Sequence, residues 1–220
     1  MLNIKLSIKI IIFGFIFTFF SSFGQSFFIG LFNSSIRADL SITHGQFGSI
    51  YALATLVSSF SLIWIGKKID DFALIKFSFF VIFLLFFSSI FFSFINNIYL
   101  LLVGIFFLRL SGQGLMSHTA TTSISRYFSL NRGKALSVTW LGLSAAEFIM
   151  PITIVFFLSI YSWRSIWLSI GLLIIIFLPL LSFLTIKKIK LSSREEKNVD
   201  LKKNNIISWK RREILLDPKF

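Results

Sequence analysis

The sequence predicts an all-α integral membrane protein with six transmembrane helices, and three observations predict it. Apolar residues make up 55% of the 220 and charged residues only 14%, against about 25% charged in an ordinary soluble domain. The charges are also segregated. Residues 10–32, 45–66, 77–108 and 165–186 hold none, and residues 135–163 hold one, Glu147. A bilayer core of about 30 Å takes roughly twenty residues as helix, so runs of this length are spans. Finally, the basic residues fall almost entirely on one side once the spans are drawn.

Each span has its own reason. The first, 9–32, follows Lys5 and Lys9. It is too long for a signal peptide, lacks a small-residue cleavage site and precedes five more spans. The loop "NSSIRADLSITHGQFG" leads to the second span, 46–65; Arg37 and Asp39 are expected to form a solvated pair there, and Ser41 to cap the helix. The third and fourth, 74–95 and 98–122, are divided at Asn96-Asn97, a turn-forming pair unsuited to lipid. In the fifth, 135–160, Gly142 and Ala146 have the spacing that lets helices approach closely. The sixth covers 166–186. Residues 1–190 thus form the membrane bundle, and 191–220 a polar linker. Its end, "SWKRREILLDPKF", reads either as an amphipathic surface helix or as the approach to a seventh span.

Orientation follows from Lys and Arg. With the N-terminus inside, two of the 22 basic residues, Arg37 and Arg164, lie outside and Arg109 lies within the membrane; the other nineteen are inside. Both termini are therefore expected in the cytoplasm of a cell whose inner membrane holds the chain. A net charge of +13 would suggest a nucleic-acid partner in a soluble protein. Here it is a loop signal, with anionic lipid headgroups as the natural contact. The absence of cysteine excludes disulfides and thiolate chemistry. No H-E-x-x-H, G-x-S-x-G, phosphate-binding loop or metal-ligand cluster occurs, so no enzyme activity, cofactor, metal or ATP hydrolysis is predicted. The thirty phenylalanines read as lipid-facing filler.

Two buried charges stand out. Arg109 lies about eleven residues from the outer end of span four and Glu147 about twelve from the inner end of span five, both near mid-membrane at 1.5 Å per residue. A central charge costs about 2.5–3.5 kcal/mol to insert, so each needs a partner or a wet cavity. Spans four and five are sequential and antiparallel, so one reading is an Arg109–Glu147 ion pair. The other is transport, with Arg109 attracting an anionic solute or coupling to protons. Gln113, one turn from Arg109, reads as a solute ligand or as an interhelical hydrogen bond. Gln25 follows Gly24 as Gln113 follows Gly112. His118, Met116 and Tyr51 read as packing residues. Between spans two and three, "GKKIDD" has Gly66 for a tight turn and Asp70 to cap the next helix.

Together these features resemble the major facilitator superfamily. Gly66, Asp70 and Phe72 fit the family's loop between its second and third helices, with Asp71 where the family has arginine and Ala73 where it has its second glycine. Arg109, Gly112, Gln113 and Gly114 resemble the fourth-helix pattern of arginine followed by Gln and Gly. "SRYFSLNRGKALSV" is similar to the inside loop before helix five. The resemblance implies a secondary carrier of a small solute, working by alternating access, with helices one and four lining the cavity and Gly66 and Asp70 in a gating loop. It also implies two three-helix inverted repeats within the six spans. A complete member has twelve spans, so the chain is expected to be a truncated product or one half, lacking a C-terminal six-helix partner. The alternative is a non-transporting remnant or an assembly partner of another half.

Overall fold

A computed structural model describes residues 4–128 and 131–187. Among them are six helices long and apolar enough to cross a membrane: Leu6–Leu31, His44–Asp70, Leu74–Ser93, Ile98–Tyr127, Arg132–Leu158 and Trp163–Ile186. The two readings of the 191–220 tail lie outside the described residues.

Local chemistry sets the ends of these spans. The first is α1 (Ile4–Ser21), a tight turn at Ser22–Gly24, an extended Gln25 (φ −79°, ψ 156°) and α2 (Ser26–Leu31). A further helix, α3 (Asn33–Leu40), forms where the sequence suggested only loop. Arg37 does not pair with Asp39 there; its Nε donates to Asn33 Oδ1 at 2.6 Å. Ser41 ends α3 in the left-handed region (φ 52°) instead of capping the next helix. That cap belongs to Thr43, whose hydroxyl and backbone exchange hydrogen bonds with Gln46 at the start of α4 (His44–Ile65). Asp70 does not cap α5 (Leu74–Ser93) either, because the residue at that position is Ala73. Asn97 does cap α6 (Ile98–Leu108), accepting from the amides of Tyr99 and Leu100 at 3.1 and 2.9 Å. The fourth span ends as α7 (Ser117–Tyr127), and spans five and six are α8 (Arg132–Leu158) and α9 (Trp163–Ile186).

The third span packs along the sixth, the first along the fifth, and the fourth along the second. The first and fourth meet at their breaks, while the first also touches the sixth and the fourth the third. Exchanging spans one, two and three for four, five and six maps this set of neighbours onto itself. At the crossing of spans one, three and six, Trp167 is fully buried among Phe28, Phe32 and Phe92, with ring centroids 5.5, 5.2 and 4.9 Å away. These three phenylalanines are core, not filler; the filler reading suits exposed positions such as Phe60, Phe83 and Phe148.

Two arginines clamp opposite ends of the bundle. Arg126, ending the fourth span, pairs with Asp70 and donates to the Ile69 carbonyl at 3.3 Å. Arg164, starting the sixth, pairs with Asp39 and donates to the Ile95 carbonyl at 2.7 Å. Each clamp ties the far end of one first-in-triplet span to the entry of the last span of the other triplet. The same exchange of triplets therefore maps one clamp onto the other, with acid and base reversed.

Candidate functional site

The site forms where two broken helices touch. In the fourth span the helix widens between α6 and α7 into an eight-residue π-helix, Arg109–Met116. Such widening is uncommon and recurs at functional positions. The break of the first span, Ser22–Gln25, lies against it. Gly24 and Gly112 allow the approach: a Cβ on Gly112 would stand 2.6 Å from the Gly24 nitrogen and 2.7 Å from its Cα. The repeated Gly-Gln pair in the sequence thus marks a real backbone contact.

That contact turns the Gly24 carbonyl toward Arg109, which is only 7% exposed. Its Nη1 donates to Gly24 O at 3.1 Å and to Ser26 Oγ at 3.3 Å. Its guanidinium carbon lies 5.2 Å from the centre of the Tyr51 ring, in cation–π range. Tyr51 donates through its hydroxyl to Ser26 Oγ at 3.0 Å, closing a ring of contacts across spans one, two and four. Beside Ser26 and Tyr51 a cleft of about 230 Å³ opens, lined also by Asn33 and His44.

Satisfaction is incomplete. Arg109 Nε, Gln113 Oε1 and Thr55 Oγ1 are buried with no hydrogen-bond partner among the described residues. Thr55 follows Tyr51 by one turn on the same face of α4. The two ion pairs among the described residues join Arg126 to Asp70 and Arg164 to Asp39, so the Arg109 guanidinium has no carboxylate. Carbonyl, hydroxyl and ring face carry partial negative charge; none carries a full one.

The expected Arg109–Glu147 pair is not formed. Glu147 is exposed on α8. The fifth span lies along the first, with Gly142 against the Phe15 carbonyl and Thr18, and meets the fourth chiefly through α7. Sequential antiparallel spans four and five are therefore held apart at mid-depth by span one. Pro151, which has no N–H, leaves the Glu147 carbonyl without its helical donor. Gln113 lies on the Arg109 element and Gln25 in the facing break, half-buried. Gly66 and Asp70 lie at the far end of span two. Gly66 is right-handed (φ −60°), so no glycine turn is needed. It is small because His118 packs on it: a Cβ would stand 3.3 Å from the imidazole ring, whose Nε2 lies 3.1 Å from Gly66 O.

Tyr51, read from sequence as core, is part of the site, as is Ser26. The signal for Tyr51 was a polar stripe in an apolar span: Tyr51, Thr55 and Ser58 recur at the spacing of one helix face.

The profile described as Major Facilitator Superfamily matches residues 14–219. The chain belongs to the major facilitator superfamily. Membership makes it a multi-pass membrane protein of the secondary transporters and gives it a solute and a lipid bilayer as partners. No curated protein matches the chain.

Proposed function

We propose that the chain forms a six-helix wall of an alternating-access carrier that binds a small organic anion at Arg109. The supporting observation is the buried guanidinium with no carboxylate and a spare Nε–H. A buried, uncompensated charge is costly, and a carboxylate or similar anion entering from the cleft beside Tyr51 would neutralise it. Gln113 on the same element and Gln25 in the facing break would hold the solute's other polar atoms. The matching neighbour pattern of spans one to three and four to six supports two inverted repeats, with the site at their crossing.

Glu147 is the coupling candidate. It sits about fifteen residues, roughly 22 Å, along the fifth span. An exposed carboxylate at that depth needs water or a partner. The second and fifth spans are the least enclosed of the six, which favours a second six-helix unit across this face as the cavity's other wall. Asp70, tied to Arg126, and Gly66, packed on His118, would hold one end closed and release it in the cycle. An inner membrane with both termini cytoplasmic is the location that the charge asymmetry supports.

The test is uptake and equilibrium binding of labelled mono- and dicarboxylates by the full chain in vesicles. Binding lost in Arg109→Gln and retained in Lys134→Gln supports the reading; equal binding in both sinks it. A second reading, an assembly partner without transport of its own, draws on the exposed fifth span and Glu147. It predicts binding to another membrane protein that Glu147→Gln weakens, with no anion uptake in any preparation.

A further inference from the structure

Spans two and three are joined by a short loop and then part, because the second packs on the fourth while the third packs on the fourth and sixth. The opening between them is a groove of about 490 Å³, lined by Ile65, Lys68, Phe72, Lys76, Phe77 and Phe80. It lies at the end of the spans where Lys67, Lys68 and Lys76 gather, the depth at which lipid headgroups sit. Its floor is apolar, and its two polar lining residues are both cations. Among the described residues, no acidic residue lines it or lies in the first turn of α5. Of the loop's two carboxylates, Asp70 is engaged by Arg126. Asp71 is exposed and outside the lining. From Phe80 the exposed rings of Phe83 and Phe87 continue along one face of α5 toward the membrane centre.

We propose that this groove is a binding site for one anionic phospholipid. Lys68 and Lys76 take the phosphate and its net negative headgroup, and an acyl chain lies over Phe77 and Phe80 and runs down the Phe83–Phe87 face. Charge complementarity selects the headgroup, and the aromatic floor selects a lipid over a soluble anion. The groove shares no residue with the Arg109 site, so the two readings fail separately.

The test is native mass spectrometry of the full chain in detergent, titrated with phosphatidylglycerol or phosphatidylcholine of equal chain length. The expected result is preferential retention of one phosphatidylglycerol. A lysine near an anionic surface contributes about fivefold. Lys68→Gln and Lys76→Gln should therefore each weaken retention by about that factor and the double variant by more, while Lys134→Gln, which removes the same charge elsewhere on the basic end, leaves it unchanged. Phe80→Ser should weaken retention of both lipids. The proposal is overturned if the two lipids are retained alike, if neither is retained, or if Lys134→Gln acts as strongly as Lys68→Gln. It is overturned equally if glycerol phosphate displaces the lipid as well as intact phosphatidylglycerol does, since that result means the aromatic groove is not used.

Discussion

Among the described residues, three arginines reach across the bundle to a backbone carbonyl of a different span or loop, and two of those three also hold a carboxylate. Arg126 and Arg164, at opposite ends of the bundle, each combine an aspartate with a carbonyl. Arg109, at mid-depth and the most deeply buried of the three, has a carbonyl, a hydroxyl and the face of Tyr51. The two ends are partly exposed and carry aspartates; the middle is buried and carries none. A charge in the driest position left without a counter-ion is poor stabilising chemistry. It is good chemistry for a site whose counter-ion arrives and departs. The clamps hold the spans together, and on the proposed reading Arg109 is where a solute would supply the missing charge.

The contrast can be broken in several places. Gly24→Ala should have the largest effect. Its Cβ would overlap the Leu108 carbonyl and Gly112, costing about 3 kcal/mol of overpacking. We expect a much lower melting temperature in detergent and loss of anion binding together; a variant that melts and binds like the parent would mean that the glycine contact does not set up the site.

The clamps should respond more mildly and without touching the site. Arg164→Ala and Arg126→Ala each remove a partly exposed ion pair and a carbonyl hydrogen bond, about 1 kcal/mol after solvent screening. Thermal melts should fall by a few degrees while anion affinity stays within twofold. Exchanging the partners, Asp39→Arg with Arg164→Asp, should recover part of the loss, and failure of either single variant to lower the melt would remove the clamps from the comparison.

Tyr51→Phe should be smallest. It keeps the ring over Arg109 and removes the hydrogen bond to Ser26, worth about 0.5–1 kcal/mol. Anion affinity measured by binding should fall two- to fivefold, whereas Tyr51→Leu, which also removes the ring, should fall further. Equal losses in the two variants would argue against the cation–π contact.

Much of the fold was legible because lipid imposes one requirement on long stretches of chain. Runs with no charge, or with Glu147 alone, pointed to six spans once Asn96-Asn97 divided the longest of them, and Asn97 also caps the helix that follows. Arg109 announced itself as a charge in such a run. Its neighbours did not, because they lie 85 and 83 residues away in a break of the first span. Sequence order put Glu147 next to Arg109; helix packing put span one between them. The same limit hid both clamps, whose partners are remote in the chain, and led to Asp70 and Asp39 being read as local caps and loop pairs. Ser41 and Thr43 are both cap-forming types, serine the better of the two, and the backbone, left-handed at Ser41, gives the cap to Thr43. The π-helix has no sequence rule; Gly112 and Gly114 permit it, and the close approach of Gly24 accompanies it.

The most direct measurement of the central claim is the thermal unfolding of the purified full chain and its Arg109→Gln variant, each with and without a panel of small carboxylates. The account predicts that the variant alone melts at or above the parent's temperature, because an unneutralised buried charge has been removed. It also predicts that at least one carboxylate raises the parent's melt and leaves the variant's unmoved. A variant that melts well below the parent, or that keeps the full carboxylate-induced rise, would show that Arg109 is a structural joint like Arg126 and Arg164 and not the place where a solute supplies the missing charge.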